Sequence, residues 1–143
     1  MAQKNARELA IKRETSPGSG VFSYVCGFRT RTFKMSNAQI DTTVPNCTDP
    51  SLPIIATAMP GRQTIEFSGD GLFDNDTASV AVFEDSRVQS SDVVYRVIIP
   101  GVGSFEGPFF ISEYELGGEM EDAMGFSATW VPLDNSQLTF TAE

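Results

Sequence analysis

Residues 97–130 read VIIPGVGSFEGPFFISEYELGGEMEDAMGFSATW, and their pattern decides the fold class. Three apolar runs rich in β-branched and aromatic residues are separated by two breaks, Pro100-Gly101-Val102-Gly103 and Gly117-Gly118-Glu119-Met120-Glu121-Asp122. Strand-like runs punctuated by glycine-rich or acidic breaks describe a β-meander. Phe126, Ala128 and Trp130 share one face of its third strand. A sandwich core needs large side chains at such places, so Phe109, Phe110, Phe126 and Trp130 read as core before they read as a ligand platform.

Working outward, residues 92–99 are strand-like. Residues 64–73 put Ile65 and Phe67 on one face and Thr64, Glu66, Ser68 and Asp70 on the other. Between them, Asp74-Asn75-Asp76-Thr77 supplies capping side chains for a short helix near residues 75–88, although Ala78, Val80 and Val82 also fit a strand. Residues 21–34 read as one long strand with Phe22, Tyr24, Cys26 and Phe28 on a common face and a bulge at Gly27. Residues 15–20 form a turn cluster, residues 6–14 alternate weakly as an edge strand, and Leu138 and Phe140 share a face of the last strand. Residues 36–61 contain Pro45, Pro50, Pro53 and Pro60, a density that predicts a long loop without a regular ladder. Leu52, Ile54 and Ile55 give that loop apolar anchors. The expectation is a single domain, residues 1–143: a β-rich α+β fold, sandwich or small barrel, with one short flanking helix.

Composition excludes more than it selects. The chain has no histidine, which removes His-based nucleophilic triads, most zinc sites and the commonest general base. Asp70, Asp74 and Asp76 lack the bidentate Glu of a calcium loop and read as a turn with helix-capping acids. Glu66 and Glu106 have no cleft signature that would make them a glycosidase pair. No enzyme, cofactor or metal is expected. No run of about 18 apolar residues is present, so no membrane span is expected. The first twenty residues lack the apolar core of a secretory signal and are expected to remain in the mature protein. Cys26 and Cys47 are expected as free thiols. Residues 1–35 carry seven Lys/Arg against two Glu, whereas residues 36–143 carry three against seventeen Asp/Glu. An acidic body disfavours tight nucleic-acid binding, and a basic start beside it suits either contact between neighbouring copies or a solvated surface with a chance imbalance.

Gly27-Phe28-Arg29-Thr30, Ser68-Gly69-Asp70-Gly71-Leu72-Phe73, the helix region and residues 99–127 occur in an order that resembles the major tail tube proteins of siphophages, the lactococcal-phage and gene-transfer-agent group. Gly103, Gly107-Pro108-Phe109, Ile111 and Gly118-Glu119 carry most of the likeness. The resemblance implies a ring-forming, tail-tube-like sandwich with one helix. Its copies would join into six-fold rings that stack into a hollow tube conducting genomic DNA from capsid to host. Partners would be the chain itself and the tail terminator, distal tail and tape measure proteins, with DNA only in transit. The location would be the virion tail, with assembly in the host cytoplasm. Residues 36–61 fall where the family carries an inter-ring loop, so Leu52, Ile54 and Ile55, with Arg7 and Lys12 of the basic start, are the expected inter-ring contacts. A channel that lets DNA slide should be acidic, and Glu66, Asp70 and Glu106 are the expected lining. Two other readings stay open from sequence: an inner tube of a secretion system or contractile tail, and a receptor- or carbohydrate-binding β-module on a virion surface.

Overall fold

The computed structural model describes residues 3–16, 18–45 and 48–143. In chain order the elements are β1 (Ala10–Glu14), β2 (Phe22–Tyr24), β3 (Phe28–Asp41), β4 (Ala58–Leu72), α1 (Thr77–Arg87), β5 (Val94–Ile99), β6 (Gly103–Gly117), β7 (Gly125–Pro132) and β8 (Thr139–Ala142). They fall into two compact units, Met1–Lys34 with Glu66–Glu143, and Met35–Ile65.

In the larger unit the strand order is β2-β1-β5-β6-β7-β4-β3, with β8 beside β6. Strand β6 belongs to two layers. Its first half pairs antiparallel with β5 on one edge and with β8 on the other. Its second half pairs with β7, after a register shift between Ile111 and Glu113. A bulge of this kind bends a strand, and here it lets one strand leave the first layer (β2, β1, β5, β8) and enter the second (β7, β4, β3). Trp130 marks where the layers face each other. It is fully buried, with ring centroids 5.8 Å from Phe67, 5.9 Å from Phe28 and 6.2 Å from Tyr95. Tyr95 and Trp130 lie on strands separated by β6, so their contact spans the sandwich. Ile11, Val97, Phe109 and Ala128 complete the same core. Burial of each large side chain contributes about 1.5–3 kcal/mol.

The Ser68-Gly69-Asp70-Gly71-Leu72-Phe73 stretch now has a physical reason. A Cβ on Gly69 would stand 2.5 Å from Phe28 Cε1, so the missing side chain seats that ring. A Cβ on Gly71 would overlap Gly27 O, which accepts the Leu72 N–H at 3.0 Å, and would lie 2.9 Å from Arg29 N.

Helix α1 begins where expected: Asp76 caps it by accepting from Ser79 N at 2.9 Å. Its buried positions are Ser79, Val82 and Asp85, so the inward stripe is largely polar. Asp85 accepts two bonds from the Arg13 guanidinium, at 2.6 and 2.9 Å, and one from the Tyr95 hydroxyl at 2.5 Å. Burial first, and then the Asp85 charge, push the Tyr95 hydroxyl well above its ordinary pKa. A bidentate ion pair to β1 and a hydrogen bond from β5 therefore fix the helix.

Three expectations change. The segment at residues 6–14 is no edge strand: a 3-10 turn covers Ala6–Glu8, and β1 lies between β2 and β5 with Ile11 fully buried. Residues 21–34 are not one strand, because Gly27 sits at φ +93° and the chain crosses there from β1 to β4. Val25 is buried while Tyr24 and Cys26 are exposed, so the single face is lost. Cys26 is a free thiol; Cys47 lies outside the described residues.

The smaller unit corrects the third. Residues 36–41 and 58–61 belong to strands, and only residues 42–57 lie outside the ladder. Pro60 sits in β4 beyond the residues that pair with β7, so the ladder loses little by its missing N–H. Thr42 N donates to Thr57 O at 3.0 Å, and the Thr42 and Thr57 hydroxyls meet at 2.8 Å, clamping the loop neck.

Gly71→Ala should cost at least about 3 kcal/mol in urea unfolding, because backbone must move, whereas Gly117→Ala, whose Cβ meets nothing within 4 Å, should stay within about 0.5 kcal/mol. Asp85→Ala should cost about 3 kcal/mol by stranding the Arg13 charge and the Tyr95 hydroxyl. Equal effects of the two glycine substitutions would refute the packing described.

Candidate assembly interface

The second layer has an inward face that is core and an outward face that is acidic and small. Alternation along β7 buries Phe126, Ala128 and Trp130 and turns Ser127 and Thr129 outward. The register places Asp70 and Glu115 on either side of Ser127, and Ser68 and Glu113 on either side of Thr129. Glu66 precedes them on the same side of β4, opposite the buried Ile65 and Phe67. Four carboxylates thus share one face. Arg29 lines a groove with Asp70, Glu115 and Ser127. Sequence reasoning reached Glu66 and Asp70 but missed Glu113 and Glu115. Two glutamates two residues apart in one strand, with Tyr114 between them, were the available signal.

Glu106 does not join this face. It lies in the first half of β6, opposite Arg96, whose guanidinium donates to it at 2.9 Å. Arg96 also lies 4.3 Å from the Phe22 ring centroid, and Lys12 Nζ lies 4.5 Å from that of Tyr24. Lys12, Arg96 and Glu106 form one row across the first layer's outward face. Arg7 sits in the 3-10 turn, where its carbonyl accepts from Arg31 at 2.7 Å and its guanidinium stays free of any ion pair among the described residues.

The second layer also ends in two bare edges. Strand β3 terminates the order. On β6, Phe109 N still donates to Val93 O at 3.3 Å, but beyond it no strand among the described residues pairs with residues 110–117 on that edge. Unpaired edges are templates for further strands.

The smaller unit carries apolar side chains without a core. Among its described residues Ile65 is the buried one, while Met35, Ile40, Val44, Leu52, Ile54 (59% exposed), Ile55 (80% exposed) and Met59 face solvent. A two-stranded ribbon of this kind gains little stability alone, and such a surface marks a contact with another body.

The family model for phage tail tube proteins matches residues 4–130. Among solved structures, the chain is similar to a protein of the native gene transfer agent virion, at 20% identity and TM-score 0.81 over 98% of this chain and 100% of that one. A protein from the tail of an empty gene transfer agent particle, refined with C6 symmetry, matches at 22% identity and TM-score 0.80, with the same coverage. The SPP1 tail tube protein matches at 10% identity and TM-score 0.59, over 97% of this chain and 79% of that one. No curated protein sequence matches the chain. With nearly its whole length spanned by the family model, the chain belongs to the phage tail tube protein family.

Proposed function

We propose that six copies of this chain close into a ring by strand pairing, that the rings stack into the hollow tube of a virion tail, and that genomic DNA leaves through that tube. The carrying observation is the second layer, whose two unpaired edges flank one acidic face. Its strands run β6-β7-β4-β3, and neighbours are antiparallel: the β4–β7 and β6–β7 registers are so, and Leu72 N to Gly27 O with Thr42 N to Thr57 O joins β4 to β3 in the same sense. Four alternating strands leave β3 and β6 pointing in opposite directions. The β3 edge of one copy therefore meets the β6 edge of the next in antiparallel sense, and repetition closes a barrel without an edge. Such contacts are heterologous, as a ring requires. Six copies follow the C6 symmetry of the similar gene transfer agent tail.

In this arrangement the outward face of the second layer lines the channel. Glu66 and Asp70, joined by Glu113 and Glu115, repel phosphate across a lumen comparable to a few screening lengths of about 8 Å. Glu106, bound to Arg96 on the other layer, does not contribute. Leu52, Ile54 and Ile55 of the loop, with Arg7 and Lys12, contact the next ring. The tube ends meet terminator and distal tail proteins, a tape measure protein occupies the lumen before ejection, and assembly takes place in the host cytoplasm. Family membership sets aside the surface-module reading.

Negative-stain imaging of the purified chain should show stacked rings with a central channel; a monodisperse monomer or a two-fold dimer under all assembly conditions would contradict the proposal. Leu52→Ser with Ile54→Ser and Ile55→Ser should leave stability within about 0.5 kcal/mol, since these side chains are exposed, yet shorten or abolish tubes. Tubes of normal length would remove the loop from the contact. Glu113→Lys with Glu115→Lys should leave tubes intact and slow DNA ejection, more so at low salt, while Glu106→Lys should not. Unchanged ejection kinetics in the first variant would place the acidic face elsewhere.

A further inference from the structure

Beyond ring closure, the two ends of strand β6 carry complementary surfaces. At its start lies an open groove of about 680 Å³ whose floor includes Ala10, Ile98 and Pro100 and whose walls include Lys4, Arg7 and Arg96. Lys4 lies over the β5–β6 turn, its Cε 3.2 Å from where a Gly101 Cβ would be. Neither Lys4 nor Arg7 forms an ion pair among the described residues. Glu8 and Glu143 also border the groove, and the Glu143 carboxylate is occupied by the Gly101 N–H at 2.6 Å. At the far end of β6 the turn after Gly117 presents Glu119, Met120, Glu121 and Asp122. It is closed by Asp122 N donating to Glu119 O at 3.1 Å. Met120 is 100% exposed, and none of the three carboxylates has an ion-pair partner among the described residues, although Arg29 borders the hollow beside Glu119 and Asp122.

We infer that the acidic turn of one copy seats in the Lys4–Arg7 groove of a copy in the adjoining ring, with Met120 on the apolar floor and Glu119 and Glu121 against Lys4 and Arg7. The occupant is a second copy because the match is one of both charge and shape: an apolar tip flanked by acids meets an apolar floor flanked by cations. The contact runs between rings because lateral pairing uses strand edges, which leaves strand ends for the stack. Gly103 and Gly117 are the two ends of one 15-residue strand, so each copy carries the socket at one end of β6 and the plug at the other. Such a pair is heterologous and cannot close a dimer, so it propagates head to tail. This rests on the ring reading above but not on the loop contact.

The test is a charge exchange on the full chain, read by pelleting and imaging. Lys4→Glu with Arg7→Glu gives a copy acidic at both ends; Glu119→Lys with Glu121→Lys gives one basic at both ends. Each variant alone should form rings but lose pelletable tubes roughly tenfold or more, since like charges then meet at every stack. An equimolar mixture should recover tubes to within about twofold, because each plug then finds an opposite socket. A folding defect cannot be rescued by mixing. Full-length tubes from either variant alone, or failure of the mixture to recover, would overturn the inference while leaving ring formation standing. Absence of rings from the unaltered chain would overturn the ring reading and this contact with it.

Discussion

An antiparallel layer that ends in two bare edges is the constraint on which this molecule turns. On the outer edges of β3 and of residues 110–117 of β6, backbone donors and acceptors find no strand among the described residues. A small soluble domain ordinarily protects such edges with charge, proline or a covering element. Here residues 110–117 of β6 carry Phe110 and Ile111 beside the exposed Glu113 and Glu115, and no covering element is paired to them on that outer edge among the described residues. The bend between Ile111 and Glu113 makes this possible, because it carries β6 out of the first layer, where β5 and β8 flank its start, into the second one. Buried large side chains around Trp130 then hold the two layers as one rigid part, so that the edges keep a fixed geometry.

The two faces of the second layer serve different ends of the same problem. Its inner face is committed to packing, and substitution there would be felt as lost stability. Its outer face carries hydroxyls and carboxylates, none of which the core needs. That division separates residues that hold the subunit together from residues that, in the proposed tube, would set the electrostatics of the channel. Repulsion at short range suits transit, since basic groups would bind phosphate by releasing counterions and hold it.

Much of this was legible in the sequence, and the failures have physical causes. Period-two alternation located β4, β5, β6 and β7, because each buries one face against the core. The run Asp74-Asn75-Asp76-Thr77 signals the helix start through its capping chemistry, and Asp76 is the residue that caps. Helix α1 itself stayed ambiguous because its anchor is Asp85, a charge, and its partners Arg13 and Tyr95 are distant in sequence; no hydrophobic stripe reports such a helix. The break at Gly27 was read as a bulge because alternation carries no information on which neighbour a strand will join. Proline count concealed the ladder at Pro60, where pairing on a single side is enough. Glu106 was grouped with Glu66 and Asp70 because strand parity tells which side of a strand a residue occupies and not which layer the strand is in; the β6 bend supplied the missing fact. Charge counting treats the seven cations of residues 1–35 alike, whereas Arg13 is internal and Lys12 lies beside Tyr24; Lys4 and Arg7 are among those without an ion pair among the described residues.

Helical cryo-electron reconstruction of tubes grown from the purified chain tests the central claim most directly. The account expects six subunits per ring, backbone pairing between β3 of one subunit and residues 110–117 of β6 in the next, and Asp70, Glu113 and Glu115 facing the lumen. A polymer in which those edges remain unpaired, or in which the acidic face lies on the outer wall, would contradict it.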